Sequence, residues 1–460
     1  MVLPGGTSPA FGLTINEEKE MGREFLKQAR EYYDFVDDPF VEHYINTLGK
    51  ALVDAFPEQP FDYRFYVLKH NEYNAFAAPA GYVFINSGLI GDMKSEEELA
   101  GILGHEIAHV HCRHISERIE KSKTVSLAML AGIMAGVFLG GAGVIPGDAM
   151  AVGSLAAGQA ATLAYSRADE RQADQIGLRY LCEAGYSAEG LLAILKKIKE
   201  KQWLSAMEMP TYLSTHPGTD ERIAYLDTLL STRNFDQCRS AARSDPGDFN
   251  ILKTKVKALY SDDDVALRQF KARVTEGPDT RSDKMLAHYG YGLILSKKSR
   301  HHEAIEQLRL ALDAAALNTH VLKALGKEYV LTGDYEKAMA VLENVPETDF
   351  YDPEKVYYRA QAAAGMGMAD KSIAILENLV QRRPRFMSAL HALGKAYGKQ
   401  GNLKDAHFYL GVYHARKRDR DNAMFHLKKA LELTEDPDKQ TKIKNLMEEL
   451  KDGKKSKPSE

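Results

Sequence analysis

Hydrophobic and polar positions follow different periods in different parts of the chain. From Asn16 to Phe56 apolar residues recur at helical spacing, and the Glu-Glu pair after Asn16 is a helix-start signal. Residues 62–68 and 82–86 instead alternate and are rich in aromatic and β-branched types, and a Pro-Ala-Gly turn precedes the second run. These patterns predict a small antiparallel sheet within a mainly helical first part of the chain.

A 34-residue repeat begins beyond about residue 235, where the composition shifts to Ala, Leu, Tyr and Lys. Small residues that mark the two helices of each repeat recur at this spacing: Gly292, Gly326, Ala360 and Gly394 in the first helix, and Ala304, Ala338, Ser372 and Ala406 in the second. The period is that of tetratricopeptide repeats, which stack into a solenoid whose concave face binds peptides or partner proteins.

Length, charge and cysteine content narrow the class of protein. At 460 residues the chain is too long for one ordinary core, so two or three domains are expected. A formal net charge of −4 gives no basic footprint, which argues against nucleic acid as a partner. The three cysteines, Cys112, Cys182 and Cys238, lack CxxC spacing and predict neither a disulfide framework nor a metal cluster.

The strongest chemical signal is an HExxH motif in an apolar helical run, at His105-Glu106-x-x-His109. Residues four apart lie one above the other on a helix, so both imidazoles can reach one metal ion, and neutral imidazole suits zinc. Glu106 lies about 100° round the helix from His105, away from the metal but close enough to take a proton from a water molecule there.

A second helical segment, residues 166–174, supplies a third ligand. Catalytic zinc commonly takes two histidines and a glutamate, and Glu170 completes that set. Asp174, one turn later, can accept the spare ring N–H of a histidine ligand. Asp169 remains a rival ligand.

At this point the sequence resembles a known family. The pair His105-Glu106-x-x-His109 and Ser166-Arg167-x-x-Glu170-x-x-Ala173-Asp174 is similar to the zinc metallopeptidases that include the HtpX heat-shock protease and the CAAX prenyl protease. Within that family the closest resemblance is to the soluble, repeat-bearing, BepA-like bacterial branch. Further matching segments are Asp38-Pro39, Asn74–Ala77, Asn86–Leu89 and Ser214–Pro217.

The resemblance implies roles for further residues. The strand that carries Asn74, Ala75 and Phe76 would border the cleft and bind an extended substrate by main-chain pairing; a plain structural hairpin is the alternative. His216 and Arg222 would lie near the metal and stabilise the oxyanion of the reaction. Alternatively, His216 occupies the fourth zinc position and keeps the enzyme latent, or it simply packs the loop before Pro217.

Residues 124–147 contain no charged side chain and are long enough to span a bilayer, but six glycines and Pro146 interrupt them. The next uncharged run, residues 149–166, is mostly Ala and Gly. We expect a packed helical hairpin or flap over the active site here, with membrane insertion or surface contact of residues 124–166 as the alternative.

These observations predict an α+β, mainly α protein, in which a gluzincin-type zinc peptidase domain with a small antiparallel sheet precedes an all-α repeat solenoid. The expected boundaries are residues 1–234 for the peptidase domain, 235–284 for a degenerate repeat or linker, 285–450 for the repeats and 451–460 for a disordered tail. We expect one zinc ion per chain.

The resemblance also implies a function. The chain would be a zinc metalloendopeptidase that cleaves misfolded or stalled outer-membrane proteins in the periplasm, with repeats that recruit the substrate or the outer-membrane assembly machinery. Residues 1–10 have neither the basic nor the apolar segment of a signal peptide, so the periplasmic prediction treats the sequence as a mature form. Two alternatives stay open: a chaperone or assembly adaptor with a latent peptidase site, and a membrane-associated peptidase.

Overall fold

The computed structural model describes residues 13–121, 165–204, 211–232, 238, 246–346 and 352–452. Its contacts divide the chain into two units, residues 1–269 and 270–460. The described chain is mostly helical with one small sheet, as the sequence predicts. The predicted domain boundaries at 234 and 284 stay predictions. The predicted flap or membrane segment, residues 124–166, lies almost wholly outside the described residues.

The first unit surrounds one central helix with a small sheet and further helices. Its elements in chain order are α1 (Ile15–Tyr32), α2 (Pro39–Val53), β1 (Arg64–Leu68), β2 (Ala75–Ala78), β3 (Tyr82–Asn86), α3 (Ser87–Asp92), α4 (Glu96–His111), α5 (His114–Lys121), α6 (Arg167–Glu183), α7 (Glu189–Leu204), α8 (Thr211–Thr215), α9 (Thr219–Leu230), α10 (Pro246–Tyr260) and α11 (Asp263–Glu276), the last of which runs across the boundary between the units.

Capping side chains set where several of these helices begin. Helix α1 starts at Ile15, one residue before the predicted signal, because Thr14 and Glu17 form a reciprocal capping box. The side chain of Asp38 accepts hydrogen bonds from the first backbone N–H groups of α2, and Ser166 forms a capping box with Asp169 at the start of α6. The Asp38-Pro39 and Ser166-Arg167 pairs of the sequence are therefore helix starts.

The sheet is mixed, and the prediction of an antiparallel sheet was wrong for one of its two pairings. The strand order is β1-β3-β2; β3 pairs with β2 antiparallel but with β1 parallel. The hairpin β2–β3 is the one whose turn the sequence contains. Strand β3 runs in the same direction as β1, and because it lies between β1 and β2 it pairs with β1 directly, in parallel. The alternation of side chains that predicts a strand carries no information on this choice.

Helix α4 lies at the centre of the first unit, and every residue from Glu98 to Val110 is buried. Glycines allow its neighbours to approach. A Cβ on Gly177 of α6 would lie 3.1 Å from the carbonyl oxygen of Gly104, and one on Gly190, at the start of α7, would collide with the carbonyl of Glu97. A helix that is buried on all sides has no polar face toward solvent. Its two histidines and Glu106 are therefore not explained by contact with water, and a functional role accounts for them better.

A disulfide joins the end of α6 to residue 238. Cys182 and Cys238 are bonded, with Cα atoms 5.3 Å apart, so the prediction that the cysteines form no disulfide was wrong for this pair. Cys112 is free. The spacing of 56 residues carries no local signal, because the pairing depends on the fold that brings the two chain segments together. Among the described helices, none is both long and apolar enough to cross a membrane.

The second unit consists of helix pairs that follow the 34-residue period. Its helices are α12 (Arg281–Lys297), α13 (His301–Ala314), α14 (Thr319–Thr332), α15 (Tyr335–Glu343), α16 (Pro353–Gly365), α17 (Ala369–Arg382), α18 (Met387–Lys399), α19 (Leu403–Arg416), α20 (Arg420–Leu433) and α21 (Pro437–Asp452). The repeated small residues lie where helices touch: a Cβ on Gly292 would lie 2.8 Å from Leu308, and one on Gly394 2.7 Å from Leu410. Helix α19 packs against both α18 and α20.

Candidate active site

Three helices and one loop bring the predicted metal ligands together in the first unit. His105 and His109 lie on consecutive turns of α4, Glu170 lies in the first turn of α6, and His216 directly follows α8. All four side chains are at most 1% exposed. Each offers a ligand atom, and the four atoms lie within 4.8 Å of one another. Of the described residues, these four form the one group of histidine, cysteine and carboxylate side chains with that geometry.

The separations fit a single shared ion. The two Nε2 atoms of His105 and His109 are 3.0 Å apart, and the carboxylate oxygens of Glu170 lie 3.3 Å from each of them. Two ligand atoms about 2.0–2.1 Å from one tetrahedral ion lie roughly 3.3 Å from each other. Two imidazole nitrogens and a carboxylate are donors that suit a zinc-class ion.

Asp174 and Arg222 form a charged layer behind these residues. The Asp174 carboxylate accepts from Nδ1 of His105 at 2.9 Å and from the guanidinium of Arg222 at 2.7 and 2.9 Å. Arg222 also reaches Glu170, with Nη1 to Oε2 at 2.5 Å. The bond from Asp174 leaves Nε2 of His105 free to face the metal position. Arg222 therefore contacts the predicted ligand Glu170 directly, and contacts His105 mainly through Asp174.

Glu170 is held in its charged form. Burial would raise the pKa of this carboxyl, but His216 and Arg222 lie beside it and bring its pKa well below the usual value. Asp169, the rival ligand, points elsewhere: it accepts from the backbone of Ser166 at 2.9 Å and from Arg118 at 2.8 Å. Of the two carboxylates, only Glu170 faces the histidines.

Glu106 lies beside the metal position without belonging to the group of four. Neither of its carboxylate oxygens has a hydrogen-bond partner in the part of the chain that the structure describes, and Oε1 is 3.6 Å from Nε2 of His216. Burial raises the pKa of Glu106 above its usual value. A buried carboxylate with a raised pKa is suited to take up and release a proton near neutral pH.

His216 lies closer to Glu170 than the sequence could indicate. Its Nδ1 is 3.1 Å from Oε1 of Glu170, and its ring stacks on Tyr212, with centroids 4.2 Å apart and planes 13° apart. Tyr212 is fully buried, and its backbone N–H reaches the carbonyl of Tyr73. The His216 ring is thus held at the metal position by a short helix that is itself attached beside β2.

Sequence reasoning missed a second set of residues around His109. Its Nδ1 is 2.9 Å from Nδ1 of His114, whose Nε2 is in turn 3.1 Å from the side-chain oxygen of Gln172. The Tyr165 ring stacks on His109 at 3.7 Å. Nothing in the spacing of His114, Tyr165 or Tyr212 assigns these contacts, because each one joins side chains from separate segments of the chain.

The predicted substrate strand lies at the edge of the sheet. Ala75–Ala78 is the outer strand β2, packed against α4, and the carbonyl of Asn74 accepts from the backbone N–H of Asn86 at 2.9 Å. The side chains of Asn74, Ala75 and Phe76 are buried. The structure places this strand beside the catalytic helix; substrate pairing along it stays a prediction.

An HExxH helix joined by a glutamate from a second helix defines the metal-dependent peptidases of the HExxH class. The family comparison agrees with this class. Residues 41–230 match the model of Peptidase family M48, so this part of the chain is similar to the peptidases of that family. The match includes every residue of the site described above.

Curated relatives extend the similarity beyond the peptidase domain. The chain is 29% identical to the beta-barrel assembly-enhancing protease of Yersinia pestis over 301 residues, which is 65% of this chain and 60% of that one. It is 27% identical to the Escherichia coli protein of the same name, over 69% of this chain and 64% of that one. It is also 28% identical to the mitochondrial metalloendopeptidase OMA1 of Arabidopsis thaliana, over 41% of this chain and 36% of that one.

These alignments span less than two thirds of the relatives' length. Among solved structures, the TPR protein YrrB superposes on 39% of this chain and on all of its own length, with 17% identity and a TM-score of 0.27. The 34-residue period and the helix pairs of the second unit identify it as a tetratricopeptide-repeat solenoid.

Proposed function

We propose that this protein is a zinc-dependent endopeptidase. The observation that carries the proposal is the buried group of His105, His109 and Glu170, with Glu106 beside it, its Oε1 3.6 Å from Nε2 of His216. Two imidazoles and one carboxylate are a ligand set that zinc takes in catalytic sites. When bound there, Zn²⁺ would supply Lewis-acid chemistry toward a peptide carbonyl and a water molecule.

The remaining steps belong to the side chains of the chain. Glu106 accepts the proton of the attacking water molecule, for which its raised pKa is suited, and later passes that proton to the leaving amine. Asp174 holds the His105 ring by its Nδ1–H, and Arg222 supports the charge of Glu170 and Asp174. Burial of all these groups excludes bulk water from the proton transfer.

His216 gives this site a second feature, which we infer to be latency. Its position among the four close donor atoms supports a role as fourth ligand, in the place that an attacking water molecule needs. Peptide substrate or a partner protein would then have to displace the loop that carries His216. In the open state, the same ring could donate to the oxyanion.

The substrates we propose are misfolded or stalled outer-membrane proteins in the periplasm, which the repeats bring to the peptidase domain. Three observations support this. Two of the curated relatives described above are named for the assembly of β-barrels. The Cys182–Cys238 disulfide suits an oxidising compartment such as the periplasm. Tetratricopeptide solenoids bind peptides and partner proteins.

The test compares zinc content and cleavage of an unfolded protein such as casein in wild type, Glu106→Gln and His216→Ala, with His302→Ala in the exposed surface of the repeats as control. We expect about one zinc at the peptidase site in every variant and loss of about 100-fold or more of the cleavage in Glu106→Gln. His216→Ala should cleave faster than wild type. If it cleaves no faster while zinc stays bound, the latency proposal is wrong.

The closed position of His216 also favours a second candidate, a chaperone or assembly adaptor in which proteolysis matters little. Cells that carry Glu106→Gln in place of wild type distinguish the two. Retention of most of the cellular function would support the adaptor, and its loss would support the protease.

A further inference from the structure

Three histidines lie together on the second unit, far in sequence from the peptidase motif. His407 and His414 are seven residues apart on α19, and therefore on one face of that helix, and His426 faces them from α20. We refer to these three residues as the histidine cluster. All three are half-buried between the two helices. No repeat position in tetratricopeptide helices calls for histidine there, since the period is marked by small and aromatic residues.

The closest contact in the histidine cluster joins two ring nitrogens. Nδ1 of His407 and Nδ1 of His426 are 2.9 Å apart. At this distance at most one proton fits between the two rings, so two imidazolium ions are excluded and at least one nitrogen presents a lone pair. Two imidazole nitrogens on one tetrahedral ion lie roughly 3.3 Å apart, so an adjustment of a few tenths of an ångström would let both rings bind the same metal.

His414 is the third histidine of the cluster. Its Nδ1 donates to a carboxylate oxygen of Asp419, 2.9 Å away. Its ring stacks parallel to that of His426, with centroids 5.5 Å apart and planes 6° apart. His414 therefore flanks the nitrogen pair; in the present geometry the three histidines do not form a group whose ligand atoms could all reach one ion.

The surroundings favour the neutral form that binds metals. Burial lowers the pKa of His426, and the nearby rings of His407 and His414 lower it further. Imidazole nitrogen is a donor that suits zinc, copper and nickel ions and binds magnesium or calcium poorly. The chemistry of the histidine cluster therefore selects a transition metal.

We propose that His407 and His426 bind one divalent transition-metal ion of the zinc class on the repeat unit, separately from the peptidase site. Such an ion would link α19 to α20. Because α19 packs against both of its neighbours, the link would stiffen the last helices of the solenoid. The proposal does not depend on peptidase activity.

Zinc stoichiometry tests the proposal on the full chain. Equilibrium dialysis against Zn²⁺ at pH 7.5, followed by metal analysis, should yield two ions per chain in wild type and in His302→Ala, the exposed-histidine control. The double variant His407→Gln/His426→Gln should bind one. A variant that lacks the peptidase ligands, His105→Ala/His109→Ala, should also bind one. One ion in wild type, or two in the double glutamine variant, would overturn the proposal.

Thermal unfolding of the variant without peptidase ligands provides a measurement that does not depend on stoichiometry. Zn²⁺ should raise its Tm through binding to the native state, and the rise should vanish when His407→Gln is added. It should also vanish below about pH 6, where histidine becomes protonated. Circular dichroism establishes that each variant is folded; an equal rise of Tm in a folded variant with His407→Gln would refute the histidine cluster as the site.

Discussion

Asp174→Asn is the change that most directly tests how the buried charges hold the peptidase site together. Asp174 is fully buried; its carboxylate accepts from His105 and from two nitrogens of Arg222. Asparagine has nearly the same shape but no charge and only one acceptor oxygen. With its oxygen in place of Oδ1, it still accepts from His105 and from Nη2 of Arg222. Its amide N–H₂ then faces the Nε–H of Arg222, so two donors meet and that hydrogen bond is lost.

The substitution should reduce both the zinc affinity and the folding free energy. Loss of the carboxylate behind a histidine ligand typically weakens metal binding about 10- to 100-fold, which is about 1.4–2.7 kcal/mol. Removing one partner of a buried ion pair costs about 3–5 kcal/mol of folding free energy. Arg222 keeps Glu170 as a second partner, so we expect a loss near the lower figure, about 3 kcal/mol, in the metal-free protein.

The assay is a competition titration of bound zinc against a chromophoric chelator, together with urea unfolding of the metal-free protein. Asp169→Asn is the matched control: it lies five residues earlier on the same helix, where Ser166 and Arg118 are its partners. The control should leave zinc affinity unchanged. Equal zinc affinities of Asp174→Asn and wild type, in a folded protein, would refute the argument that Asp174 orients His105.

Three further predictions follow from the packing of the first unit. Gly177→Val should lower the free energy of unfolding by about 1–3 kcal/mol and weaken zinc binding, because its Cβ would lie 3.1 Å from the Gly104 carbonyl oxygen and push α6, with Glu170, away from α4. The control is Gly104→Ala, whose Cβ would come no closer than 3.7 Å to the neighbouring helix. Cys182→Ala should lower the free energy of unfolding of the oxidised protein by about 4 kcal/mol, because the unfolded chain is no longer constrained by a closed loop of this length; Cys112→Ala, at the free cysteine, should have no such effect. An equal Tm for Cys182→Ala and wild type without reductant would contradict the disulfide. Burial raises the pKa of Asp38, but Lys255, 2.6 Å away, brings it below the usual value, so the stabilisation is present above about pH 4 and is lost as the pH falls through the lower folded-state pKa. Asp38→Asn should be less stable than wild type at pH 7, and urea unfolding should find that this difference shrinks as the pH is lowered below about 4.

Some features were predictable because their signal is local. Helical spacing places His105 and His109 on one face without any knowledge of the fold, and Glu170 and Asp174 share a face for the same reason. The repeats were predictable because each one must bury its face against the next, which imposes small residues at a fixed period. The mainly helical class follows from these two patterns.

Other features depend on contacts between distant parts of the chain. Nδ1 of His216 meets a residue 46 positions away, and Arg222 approaches His105 across 117 positions. The parallel pairing of β1 with β3, the Cys182–Cys238 bond and the stacking of Tyr212 on His216 are of the same kind. No periodicity in the sequence encodes which segments will meet.

By itself, then, the sequence determined the helices, the repeat and the residue types capable of binding a metal. The tertiary structure decided how those residues are combined: Glu170 rather than Asp169 faces the histidines, and His216 joins them. It also brought His407 and His426 into contact across two helices. The physical reason is that helix formation depends on neighbours within one or two turns, whereas a binding site depends on the packing of whole helices against one another.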